Sequence, residues 1–323
     1  MKIGVQFEVQ DGVGWNRWRE LAARVDELGY ESLWRSDHLF SVVGDLTKTG
    51  IETWTSLTYL ATATSRIRFG PLVSPMTFRH PSLLALQAAA VDELSGGRLE
   101  VGVGAGWEPR EHESFGGPFP STSERFVRLD EGLTVMKLLW TEPEPEFEGR
   151  FYSLHGARLH PKPLQRPHPP IVVGGTGEKR SLRIVAKHAD EWNAHGVTVD
   201  VYRAKRAVLD RYCAEFGRDP AAVRHSVTAP CAIGMSENTI RDRIDAQSRL
   251  LPLRTPAFFP EGKPQTIDAL RARGWIVGRP EEIVDQIRTL AEAGVDRVML
   301  ELIDAYDDES LELIAREVLP NVA

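Results

Sequence analysis

The stretch Ser32-Leu33-Trp34-Arg35-Ser36-Asp37-His38 begins as a short apolar strand and ends in a carboxylate beside an imidazole. Such a pair at a strand's C-terminal end can hold a proton near neutral pH and aim it into a cleft. In a ring of alternating strands and helices, that end is also where active sites gather. Alone, the dipeptide is explained as well by Asp37 capping a loop and His38 lying in solvent. The surrounding chain decides.

Upstream, Lys2 to Val9 alternates: Ile3, Val5, Phe7 and Val9 are apolar, while Gly4, Gln6 and Glu8 are not. In a barrel the apolar set faces the helices and leaves Gln6 and Glu8 in the lumen near its mouth. Trp15 to Leu28 has helical spacing and stops at Gly29, a helix-ending glycine. Downstream, strands are expected at Ile67–Val73, Leu99–Val103, Ile171–Val173, Glu191–Ala194, Ser226–Ile233 and Arg297–Leu302. Helices are expected between them, among them Ser121–Leu139, where Ser121 and Glu124 have capping-box spacing. Prolines crowd 142–170 and exclude a helix there; residues 147–152 read as the core of a small hairpin. Eight strands, each followed by a helix, predict an α/β fold: a single (β/α)8 TIM barrel spanning 1–323. Insertions fall at 39–51, 142–170 and 250–275. A doubly wound open sheet fits less well, because no nucleotide-binding glycines follow the first strand.

Hydrophobic residues at 42% and charged ones at 26% describe ordinary globular usage. A net charge of −7 gives no electrostatic footprint for nucleic acid or an anionic membrane. Cys213 and Cys231 have no metal-ligand spacing, and their scarcity points to a reducing compartment. With no basic-then-apolar leader and no apolar run long enough for a bilayer, a cytoplasmic location is expected.

Three stretches could hold a ligand. Gly174-Gly175-Thr176-Gly177 lies between a buried strand and a helix, where converging N–H groups and the helix N-terminus suit a phosphate. Gly104-Ala105-Gly106-Trp107 lets backbone approach a planar ring, with Trp107 stacking on it or serving as a lid. Leu72-Val73-Ser74-Pro75 ends the third strand in a kink. Glu108, Glu111 and His112 form a polar cluster that a surface loop explains, and no metal is expected.

Together these positions resemble the bacterial luciferase-like monooxygenase superfamily, specifically its branch of oxidoreductases using the deazaflavin coenzyme F420. The resemblance rests on Ile3-Gly4-Val5-Gln6, Leu33 to His38, Thr77-Phe78-Arg79-His80-Pro81 and Gly102 to Trp107. It continues through Pro161-Lys162-Pro163, Pro169 to Gly175 and Ala189-Asp190-Glu191-Trp192-Asn193. It implies that Asp37 and His38 form the active-site pair; Asp37 is expected to matter less, by orienting the imidazole or contacting the cofactor ring. It also implies cofactor contacts at Gln6, Leu72, Val73, Ala105, Gly106 and Trp107, and a phosphate turn at Gly174, Gly175, Thr176 and Gly177. Leu72-Val73 falls where many members carry a non-prolyl cis peptide. Sugar-phosphate dehydrogenases of the family have glutamate where this chain has Trp107, which argues against sugar phosphate oxidation.

The expected activity is hydride transfer between F420 and a small organic substrate, with His38 moving the proton. The alternatives are an FMN-dependent monooxygenase and a non-catalytic flavin-binding barrel. A small-molecule substrate and a homodimer are the expected partners. Residues 250–275, with Phe258 and Phe259, are expected to form a mobile lid.

Overall fold

In the computed structural model, residues 1–42, 44–250 and 266–322 are described. The expected lid falls mainly in 251–265, outside the described residues. Its last residues form a short helix, Ile267–Arg271, whose Leu270 packs with Trp275 and Val277 in a small apolar cluster.

The parallel strands are β1 (Lys2–Phe7), β2 (Ser32–Arg35), β3 (Arg68–Pro71), β4 (Ser74–Pro75) and β5 (Val101–Gly104). After the antiparallel hairpin β6 (Glu146–Glu148) and β7 (Ser153–His155) come β8 (Ile171–Gly174), β9 (Glu191–His195) and β10 (Arg224–Ile233). β11 (Ile276–Gly278) pairs in parallel beside the end of β10, and β12 (Arg297–Glu301) is the last. The strands follow the order β3-β2-β1-β12-β10-β9-β8-β5-β4. A parallel bridge from Phe69 to Leu99, together with the β4–β5 pairing, joins the two ends of this path into a ring. β3 and β4 are one barrel strand interrupted at Leu72-Val73, whose peptide bond is cis. The ring therefore has the eight expected strands.

The helices cover the ring in chain order, beginning with α1 (Trp15–Glu27), α2 (Thr53–Ala63) and α3 (Pro81–Leu94). Then come α4 (Pro109–Ser114), α5 (Thr122–Thr141), α6 (Ser181–His188), α7 (Val199–Glu215) and α8 (Glu237–Leu250). The amphipathic reading of α1 holds: Trp18, Leu21, Ala22 and Val25 are buried, and Gly29 follows the helix with φ +91°. The Ser121–Glu124 capping box forms. The alternation in β1 resolves as the barrel geometry requires, with Ile3, Val5 and Phe7 in the main apolar cluster and Gln6 and Glu8 on the mouth cavity.

Two layers fill the lumen below the mouth. Trp34, Val172 and Met299 form an apolar middle layer with Leu72 against it. Beneath it, buried Arg297 donates to Glu100 at 2.7 and 3.0 Å, to Glu191 at 3.3 Å and to Glu31 at 3.0 Å. Arg68 bonds Glu100, and Arg224 reaches Glu191 at 3.3 Å. Burial works against charge at Glu100, but Arg297, Arg68 and Arg224 outweigh it and hold the carboxyl at about 2. Burial, together with the neighbouring Glu100 charge, instead holds Glu191 above the ordinary carboxylate range despite Arg297 and Arg224.

No helix among the described residues is long and apolar enough to cross a membrane.

Candidate functional site

The strand ends surround a cavity of about 360 Å³, within the range of roughly 300–1,000 Å³ usual for small-molecule sites. Its lining includes Gln6, Asp37, His38, Leu72, Val73, Ala105, Gly106, Trp107, Gly174 and Gly175. Of the expected ligand residues, Thr176 and Gly177 stand outside that lining, half-buried and exposed on the continuing turn.

Asp37 and His38 are adjacent in sequence, yet their polar contacts go to different partners. Asp37, 2% exposed, accepts from Arg79 Nε and Nη2 at 3.0 and 2.7 Å and from Ser74 Oγ at 2.5 Å. A carboxylate gripped by a guanidinium fork and a hydroxyl is a fixed part of the wall. The hydrogen bonds described for it go to Arg79 and Ser74. The imidazole is met by Glu111. Its Oε2 lies 3.0 Å from His38 Nδ1, and its Oε1 accepts from the Leu39 N–H at 2.7 Å.

Glu108, Glu111 and His112 do not form the expected surface loop. They are only 5%, 2% and 6% exposed. Glu108 caps α4 by accepting from the Arg110 N–H, and Pro109 takes the first helical position, where its missing N–H costs nothing. The helix turns Glu111 inward beneath the loop after β2. Sequence reading missed this role, although the Glu-Pro helix start at 108–109 was a signal for it.

A second pair was also missed. His195 Nε2, at the end of β9, lies 2.9 Å from Glu301 Oε2 at the end of β12. Glu301 is buried, His195 is 44% exposed, and His195 lines the same cavity as His38.

The cavity floor is apolar at Leu72 and Val73, and the glycines at 104, 106, 174 and 175 border it beside Asp37, His38 and Trp107. A Cβ on Gly104 would lie 2.6 Å from Val73 Cγ2, and one on Gly174 would lie 3.1 Å from Val73 Cγ1. Both glycines make room for Val73 to stand in the floor. Trp107, 51% exposed, meets His38 edge-on, with centroids 5.6 Å apart and planes at 84°. Gln6 is 3% exposed, and its Oε1 accepts no hydrogen bond among the described residues. A buried acceptor left in that state costs about 1–3 kcal/mol until a donor meets it.

In the Gly174–Gly177 turn, Gly175 has φ +132°. Its N–H is already given to the Asn193 carbonyl at 3.1 Å, so an anion would be met by the amides that follow. A Cβ at Gly175 would also lie 3.1 Å from Ser181 Oγ. Gly175→Val is therefore expected to distort the turn through backbone strain and the Ser181 contact. Cofactor affinity measured by equilibrium dialysis should fall at least about tenfold while the far-ultraviolet circular dichroism stays that of the parent. Unchanged affinity places the phosphate elsewhere.

The structure is thus an eight-stranded parallel barrel with an imidazole–carboxylate pair lining the cavity at its strand ends. Residues 2–297 match the Luciferase-like monooxygenase family, and the chain belongs to it. It is 28% identical over 284 residues to the FMNH(2)-dependent dimethylsulfone monooxygenase of Pseudomonas putida, covering 81% of this chain and 76% of that protein. It is 27% identical over 323 residues to the F420-dependent glucose-6-phosphate dehydrogenase of Amycolatopsis mediterranei, covering 94% and 93%. Its fold superposes on an F420-dependent secondary alcohol dehydrogenase solved with an F420-acetone adduct, with TM-score 0.83 at 20% identity over all of both chains. The relatives are F420- or FMN-dependent, and this chain is an enzyme of their family.

Proposed function

We propose that this protein is an F420-dependent oxidoreductase that exchanges a hydride with a small organic substrate while His38 handles the accompanying proton. The observation that carries this reading is the His38–Glu111 hydrogen bond inside the cavity. A carboxylate partner fixes the Nδ1–H tautomer, so Nε2 becomes the basic nitrogen that takes a proton from an alcohol or, once protonated, returns one to a carbonyl.

The residues present fit a planar ring that carries a phosphate. Leu72 and Val73 would supply an apolar floor, and the unsatisfied Gln6 Oε1 would accept from a donor such as a ring N–H. Ala105, Gly106 and Trp107 would contact the ring, and the turn from Gly174 to Gly177 would offer amides to a phosphate. Asp37, held by Arg79, gives that side of the wall a fixed shape. When bound, the coenzyme supplies or accepts the hydride; positioning, water exclusion and proton transfer belong to the chain.

A second reading, reduced FMN with oxygen as a monooxygenase, is favoured by the dimethylsulfone relative. Absorbance titration with each cofactor separates the two. Saturable binding of F420 with weaker or no binding of FMN supports the proposal, and the reverse order replaces it with the second reading.

Within the proposed mechanism, Glu111→Gln keeps the shape of the side chain but removes its charge. The hydrogen bond to a charged group is worth about 1.5–3 kcal/mol, so turnover should fall about 10- to 100-fold. Stopped-flow decay of the reduced-cofactor signal measures this, and unchanged turnover removes Glu111 from the mechanism.

A further inference from the structure

Gly175, inside the Gly174–Gly177 turn, is held at both of its backbone polar groups by β9. It gives its N–H to the Asn193 carbonyl at 3.1 Å, and its own carbonyl accepts from the Trp192 indole Nε1 at 2.8 Å. Trp192 and Asn193 are neighbours on β9, so their side chains go to opposite faces. Asn193 lines the cavity, whereas Trp192 is fully buried in the main apolar cluster and stacks on Tyr202 of α7. The indole therefore draws the Gly175 carbonyl toward the helix side of the barrel wall.

A trans peptide is planar, with its carbonyl and N–H pointing opposite ways. The 175–176 peptide is trans, so holding the Gly175 carbonyl on the helix side turns the Thr176 N–H away from the helices. Glycine at 174 and 175 leaves this stretch of backbone loosely determined by sterics, and the indole supplies the missing constraint. The indole itself is braced. Its plane lies at 11° to the Tyr202 ring with centroids 5.6 Å apart, and it meets His225 of β10 edge-on at 5.4 Å. Tyr202 Oη lies 2.7 Å from His225 Nδ1 and donates to the Gly294 carbonyl at 3.0 Å, which ties the stack to β10 and to the turn before β12.

Resting on the proposed phosphate turn, we infer that Trp192 is a positioning residue for the cofactor phosphate. Its indole N–H sets the orientation of the 175–176 peptide and so aims the Thr176 amide at the anion. Trp192 acts through Gly175 and is not itself part of the cavity lining.

Two ligand pairs test this by absorbance titration, each sharing one ring and ribityl chain with and without the phosphate: FMN with riboflavin, and F420 with the phosphate-free deazaflavin alcohol. Trp192→Phe keeps an aromatic ring for the Tyr202 stack and deletes the N–H. It should weaken the phosphorylated ligand about 3- to 10-fold, the worth of one hydrogen bond, and leave the phosphate-free one within about twofold of the parent. Replacing the indole at 192 by benzothiophene, through incorporation of benzothienylalanine, keeps size and shape and removes only the N–H. It should give the same selective loss and covers the case in which Trp192→Phe folds poorly. A merely structural role weakens both members of a pair equally; that result overturns the inference, as does unchanged affinity for the phosphorylated ligand. A parent that binds both members of a pair equally well takes the phosphate away from the turn and the inference with it. A parent that binds FMN but not F420 replaces the proposed cofactor, and the FMN pair then decides the role of Trp192. A parent that binds neither cofactor overturns both.

Discussion

Replacing His38 with alanine should lower turnover about 10²–10⁴-fold, the usual worth of a positioned general acid or base, while cofactor affinity stays close to that of the parent. The expectation rests on where the imidazole stands. Glu111 holds one nitrogen and anchors itself to the Leu39 amide, so the ring is aimed into the cavity before any substrate arrives. Alanine removes the proton carrier and leaves the apolar floor, Gln6 and the glycine turn intact. Single-turnover kinetics at saturating cofactor and substrate isolate this step. Added imidazole should restore part of the lost rate, which a merely structural role for His38 does not predict. Unchanged turnover in His38→Ala sinks the assignment.

The second large effect is on folding. Arg297→Met should cost about 3–5 kcal/mol of stability, the penalty for removing one partner from a buried ionic group. Arg297 is 1% exposed and joins Glu100, Glu191 and Glu31, so methionine leaves buried carboxylates facing each other. The pH dependence has a definite sign. Glu100 is held at about 2, below its ordinary 4.5, so its contribution is present above 4.5 and lost as pH falls toward 2. Glu191 has its carboxyl raised, so its contribution is present below the ordinary value and lost as pH rises through its folded value. Without Arg297 the Glu100 carboxyl protonates more readily, and the gap between parent and variant should narrow as pH drops from about 7 to about 4. Urea melts of the two proteins at both pH values measure this; equal melts for the parent and Arg297→Met refute the role of the network.

The barrel was legible because its signal is local and repeated. Each strand carries its own apolar pattern, and each helix its spacing and caps, as at Ser121–Glu124 and Gly29. The proposed acid–base site was legible only in half. His38 stood out at a strand end, but the nearest carboxylate in sequence, Asp37, is committed to Arg79 and Ser74. Its actual partner, Glu111, is 73 residues away on a helix of six residues, too short to show a period. His195 and Glu301 are 106 residues apart and meet only because β9 and β12 both flank β10. Strand-end contacts across a closed ring are set by ring order, which no local pattern encodes.

The Trp34, Val172 and Met299 layer separates two populations of charge. Below it, the Arg297 guanidinium carbon lies 5.5 Å from the centre of the Trp34 ring, and three guanidiniums nearly cancel three carboxyls. A neutralised cluster under an apolar partition exerts little field on the histidines above. Retooling the enzyme for a new substrate then becomes modular: strand-end residues such as His195 or Trp107 can be exchanged one by one without renegotiating the ionic foundation. A directed-evolution campaign on this chain should accumulate its specificity changes above Trp34 and its stabilising ones below.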